Sequence, residues 1–111
     1  MSEFVKEIGQ ADYEREVLQS GEPVVLDFFS TECPPCEALA PKFEAVAEQF
    51  AGKVRFLKVF RQGNRDLATR LGVSGSPTLV FFKGGAEVGE RLSGEEIKRT
   101  AIKAQVESML A

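Results

Sequence analysis

Three stretches of this chain, at 24–29, 54–60 and 78–82, are almost unbroken runs of apolar residues, and the segments between them carry helical rather than strand spacing. Short runs that are apolar on both alternating faces fit strands covered on both sides, the situation of a largely parallel sheet sandwiched by helices. Leu39, Ala40, Phe43, Val46, Ala47 and Phe50 recur at helical intervals and predict a helix over 37–50, ended by Ala51-Gly52. Pro41 falls inside that helix, removes one backbone donor and is expected to kink it near Glu37. A short strand is expected at 4–8 and a helix at 11–19, the latter stopped by Ser20-Gly21-Glu22-Pro23. Gln62-Gly63-Asn64 reads as a turn, 65–71 as a short helix closed by Gly72, and Lys83-Gly84-Gly85 as a hairpin leading into a polar strand over 86–92. A helix over 95–110 closes the chain. The order β-α-β-α-β-α-β-β-α admits one mixed sheet with helices on both faces, an α/β fold in a single domain over 1–111.

Composition excludes several classes. A net charge of −3 gives no reason to expect nucleic acid or an anionic membrane as partner, and no apolar run approaches the roughly 20 residues that span a bilayer. Met1-Ser2-Glu3-Phe4-Val5-Lys6-Glu7 lacks the basic segment and apolar core of a secretory signal, which favours a cytoplasmic protein.

In that setting the chain's two cysteines carry the most chemistry. Cys33 and Cys36, in Glu32-Cys33-Pro34-Pro35-Cys36, stand between the apolar run 24–29 and the helix. There the first thiol meets unpaired backbone N–H groups and the positive end of the helix dipole, which favour a thiolate. The second lies one turn in, within reach of a disulfide with the first. A structural zinc site is the competing reading, but zinc takes about four ligands, and the chain has no histidine and no third cysteine. In a reducing compartment a redox pair is favoured over a structural staple.

Asp27-Phe28-Phe29, the Cys-Pro-Pro-Cys motif, Leu39-Ala40-Pro41, Leu71-Gly72-Val73, Ser76-Pro77-Thr78 and Phe82-Lys83-Gly84-Gly85 together resemble the thioredoxin family, over residues 4–110. The resemblance implies the thioredoxin fold and a thiol–disulfide oxidoreductase that reduces protein disulfides. Cys33 is then the nucleophile, and Cys36, the more buried thiol, resolves the mixed disulfide. Asp27 becomes a buried carboxylate with a raised pKa that takes the Cys36 proton, rather than a solvated acid at a strand end. Lys58 biases the charge of Asp27; its alternative is a stem lying on the sheet with the ammonium in water. Pro77 follows a cis Ser76–Pro77 bond set against the disulfide, instead of a trans proline opening a strand. Gly75 and Ser76 offer backbone groups to an extended substrate, and Gly94 keeps that groove open rather than only making a turn. Glu32, Pro34 and Pro35 border the same docking surface. The implied partners are a thioredoxin-reductase-like enzyme and disulfide-containing target proteins, acting on a monomer; the chain holds no dinucleotide fingerprint and no cofactor is implied.

The chain departs from the family pattern around the motif. Glu32 stands where the family has Trp, Phe29 replaces a second Trp, Pro34 replaces Gly, and Glu37 replaces a basic residue. The two carboxylates disfavour a thiolate on Cys33, and Pro34 removes a backbone donor from the loop. Arg61 and Arg65 stand where the family is acidic, a change of charge on the docking face that predicts a changed partner set. A specialised electron donor, a disulfide oxidant or isomerase, and a redox-inactive interaction module are the other readings.

Overall fold

The computed structural model describes residues 3–111; Met1 and Ser2, part of the N-terminal stretch read above, lie outside them. The centre of the sheet is β2 (Val24–Phe29), whose buried run has β3 (Arg55–Phe60) beside it in parallel and β4 (Thr78–Lys83) antiparallel on its other side. A short β1 (Val5–Glu7) lies parallel outside β3, and β5 (Ala86–Glu87) and β6 (Leu92–Ser93) form the opposite edge against β4. The sheet is therefore mixed, as the element order requires.

Strand alternation divides the interior into two cores. Val25, Phe56, Leu79 and Phe81 face α1 (Pro34–Gln49) and α3 (Arg99–Leu110), whose Phe43, Val46, Ile102 and Val106 complete that cluster. Phe43 meets Phe56 edge-on at 5.3 Å between ring centroids. Leu26, Phe28, Leu57 and Val80 face the other way, against Tyr13, Val17 and the short α2 (Arg65–Leu71). Each large side chain removed from water here contributes about 1.5–3 kcal/mol.

The α1 helix starts three residues before the expected 37, with Pro34 and Pro35 in its first turn and Cys33 as its N-cap. Proline suits that place because the missing N–H has no intrahelical partner there and its φ is already helical. The helix continues through Pro41 to Gln49. Gly72, at φ +69°, closes α2 as expected.

Three further elements differ from expectation. Residues 11–19 form a 3-10 turn (Gln10–Asp12) and a π-helical turn (Glu14–Leu18), not an α-helix. Arg55 explains the widening: its guanidinium donates to the Glu16 backbone carbonyl at 2.8 Å and also pairs with the Glu16 carboxylate, drawing this turn onto β3. The expected strand 86–92 is broken in two. Val88 N–H donates to Phe81 and Leu92 pairs with Leu79, so Gly89, Glu90 and Arg91 bulge opposite Val80, with Gly89 at φ +66°. The last helix begins at Arg99 rather than 95, because Lys98 at its N-cap is extended and Ile97 just before it is buried in the first core.

Candidate active site

The end of β2 delivers the chain into the loop before α1, and the sheet register decides what lies beneath that loop. Val25, Asp27 and Phe29 on β2 pair with Phe56, Lys58 and Phe60 on β3, so three rows step up one face of the sheet. The top row is aromatic, with the Phe29 and Phe60 rings 5.6 Å apart. Directly below it stand a carboxyl and an ammonium.

Asp27 is 7% exposed, and its Oδ1 is buried with no hydrogen-bond partner. Burial pushes its carboxyl up to about 7, and the charge of Lys58 pulls the other way. The Lys58 ammonium lies over the Phe29 ring, 5.3 Å from its centroid, so the stem follows the sheet while the charge rests on an aromatic face.

Above this row Cys33 and Cys36 form a disulfide, with Cα atoms 5.2 Å apart. The Cys33 sulfur is a helix N-cap acceptor: the Cys36 N–H points at it from 3.2 Å, while the Cys33 carbonyl accepts from Cys36 and Glu37. Since residues 34 and 35 are prolines, that amide is the first backbone donor the helix can offer. Cys33 is the more buried of the two, at 8% exposed, and Cys36 is half-buried, the reverse of the expected order. The cause is the neighbouring loop. The Ser76–Pro77 peptide is cis, and the Ser76 carbonyl oxygen lies 3.7 Å from the Cys33 sulfur, covering it from one side. Gly75 is exposed and its carbonyl accepts from the Thr78 hydroxyl at 2.8 Å, which fixes the turn into β4. Ser93 pairs with Thr78, so β6 carries Gly94 to the same end of the sheet; its φ of +105° calls for glycine, and a side chain there would meet open space.

Glu32 and Pro34 are exposed and Pro35 half-buried, all three at the rim of the disulfide. Glu32 adopts φ +51°, a left-handed conformation unusual for its type. Two contacts of this rim are not readable from spacing. Gln62 accepts from both the Thr31 N–H and the Thr31 hydroxyl, at 3.0 and 3.1 Å, bracing the loop that leads to Cys33. Arg61 donates from Nε to the Ser76 hydroxyl at 2.8 Å, one residue from the cis proline. Both side chains sit in a 3-10 turn (Arg61–Gly63) that continues β3, and only the sheet order brings that turn beside the motif. Among the described residues no three metal-ligating side chains converge, and no helix is long and apolar enough to cross a membrane.

The thioredoxin family model matches residues 4–108, nearly the whole chain and all of this site. The chain belongs to the thioredoxin family. It is 36% identical over 106 residues to the thioredoxin of Peptoclostridium acidaminophilum, which covers 96% of both chains. It is also 33% identical over 107 residues to the chloroplastic thioredoxin X of Arabidopsis thaliana, covering 96% of this chain but 58% of that protein. Identity to the thioredoxin of Pseudomonas aeruginosa is 36% over 85 residues, covering 77% of this chain and 79% of that one. A thioredoxin-family chain with its two cysteines joined at a helix N-terminus has the arrangement of a thiol–disulfide oxidoreductase.

Proposed function

We propose that this protein reduces disulfides of target proteins, in the cytoplasm and as a monomer, with Cys33 as attacking thiolate and Cys36 as resolving thiol. The observation that carries the assignment is the Cys33 sulfur at the N-cap of α1, where the Cys36 N–H and the helix dipole stabilise negative charge. Cys33 attacks one sulfur of the target disulfide, the target S–S bond breaks, and the leaving sulfur departs as a thiolate that takes a proton. Cys36 then loses its proton and attacks the Cys33 sulfur; the mixed disulfide breaks and the second target thiol is released. Two electrons and two protons pass from the protein dithiol to the target, leaving the Cys33–Cys36 disulfide. A thioredoxin-reductase-like partner returns the electrons.

Asp27 is the acceptor for the Cys36 proton in this scheme. With a pKa of about 7 it exchanges protons near neutrality, where a general base is most effective. Lys58 acts through Asp27, holding its carboxyl lower than burial alone would leave it. Pro77, Ser76, Gly75 and Gly94 border the groove in which the target chain lies, with Glu32, Pro34 and Pro35 along its opposite rim.

The test is trapping. Cys36→Ser incubated with a disulfide-bonded target accumulates a mixed disulfide seen as a mass adduct, and Cys33→Ser does not. The reverse pattern, on the half-exposed Cys36, overturns the assignment. The equilibrium potential separates reductant from oxidant: about −270 mV is the value of a thioredoxin reductant, and a value some 70 mV or more higher assigns an oxidising or isomerising role.

A further inference from the structure

Resting on that reading, we propose that the site selects target disulfides that have an acidic residue one or two positions from the attacked cysteine, and that Arg61 and Arg65 bind its carboxylate. Arg61, which bonds Ser76, lines a pocket of about 400 Å3 together with Gln62, Arg65, Ala68, Thr69 and Val73. It holds two guanidinium groups and no acid. Asp66, adjacent in sequence, lines a different pocket with Gln10 and Arg70, and among the described residues neither Arg61 nor Arg65 has a carboxylate partner.

Arg61 is not a loose surface charge. It is half-buried, and its Nε donates to the Ser76 hydroxyl at 2.8 Å, which leaves the two terminal nitrogens of the guanidinium for a ligand. A planar pair of N–H donors held in place matches a carboxylate in bidentate geometry. The same Ser76 places its carbonyl 3.7 Å from the Cys33 sulfur. Reacting sulfur and positive pocket therefore flank one residue. An extended chain advances about 3.3 Å per residue, so a target cysteine joined to Cys33 brings a side chain one or two positions away over Arg61. A target polypeptide is the occupant, because the geometry links the pocket to the attacked sulfur through a strip of backbone suited to an extended chain.

The experiment is single turnover of the reduced protein with cyclic disulfide peptides. One residue, one or two positions from either cysteine, is Glu, Gln or Lys, and thiol release is followed by alkylation and mass. At the position that meets the pocket, Glu peptides react about three- to fivefold faster than Gln peptides, Lys peptides are slowest, and the Glu preference shrinks as salt is raised. Arg61→Gln and Arg65→Gln each reduce the Glu-to-Gln ratio, with Arg61→Lys keeping part of it. Equal rates for Glu and Gln at every position, or a ratio that both glutamine variants leave unchanged, overturn the inference while reduction itself upholds the functional reading. If no peptide is reduced and none is trapped by Cys36→Ser, both are overturned.

Discussion

Replacing Asp27 by Ala should stabilise the folded protein at alkaline pH and progressively less as the pH falls. An unfolded aspartate titrates near its ordinary value of 3.8, whereas burial pushes the native carboxyl up to about 7. Between those values the native state holds a proton that the unfolded chain has released, so stability falls as pH rises through that window. Three pKa units at 1.36 kcal/mol each set the penalty at about 4 kcal/mol above pH 7. About 3 kcal/mol of it develops between pH 5 and pH 8. Asp27→Ala also loses packing beneath the Phe29–Phe60 pair, but that loss does not depend on pH. The informative quantity is thus the difference between variant and wild type, measured on the oxidised proteins by urea unfolding at pH 4, 5, 6, 7 and 8. It should turn in the variant's favour as pH rises and level off above pH 7. Lys58→Met, which removes the charge that lowers the carboxyl, should move the levelling point above that of wild type. Parallel stability curves for wild type and Asp27→Ala across this range would refute the argument that the carboxyl is held against its charged form.

Gly85→Ala should destabilise by about 1–3 kcal/mol in thermal unfolding, since Gly85 has φ +81° and an added Cβ falls 2.8 Å from the Leu18 carbonyl oxygen. Glu16→Gln should cost about 1–2 kcal/mol at pH 7. Arg55 holds the Glu16 carboxyl down to about 2, so wild type should lose this stabilisation only as pH falls from about 4.5 through 2, while the variant shows no such loss. Gln62→Ala frees the Thr31 N–H and should speed its hydrogen exchange by about tenfold, with little change at Leu26 in the core.

Much of the architecture was legible because β2, β3 and β4 are apolar on both faces, a pattern only a covered sheet satisfies. The Cys pair was legible for a similar reason, since its position between strand and helix carries its own chemistry. The pairing of Asp27 with Lys58 came from the family resemblance and not from spacing, as their adjacency depends on the β2–β3 register. What stayed hidden depends on contacts between segments distant in sequence. The π-helical turn needs Arg55, which lies 39 residues beyond Glu16. The break in the edge strand needs three residues to bulge over one, and the late start of α3 needs Ile97 to find the core first. The smaller exposure of Cys33 comes from Ser76, 43 residues away, and the hold of Arg61 on Ser76 appears only when β3 and β4 flank β2.

The division of the interior by the sheet also separates two spectroscopic reports. The chain has one tyrosine and no tryptophan. Tyr13 is buried in the second core, edge-on to Phe82 with the Arg70 guanidinium over its ring, while the disulfide belongs to the α1 side. Tyrosine emission should therefore follow loss of the fold and stay nearly silent to oxidation and reduction, so that stability and redox state can be read independently in one sample.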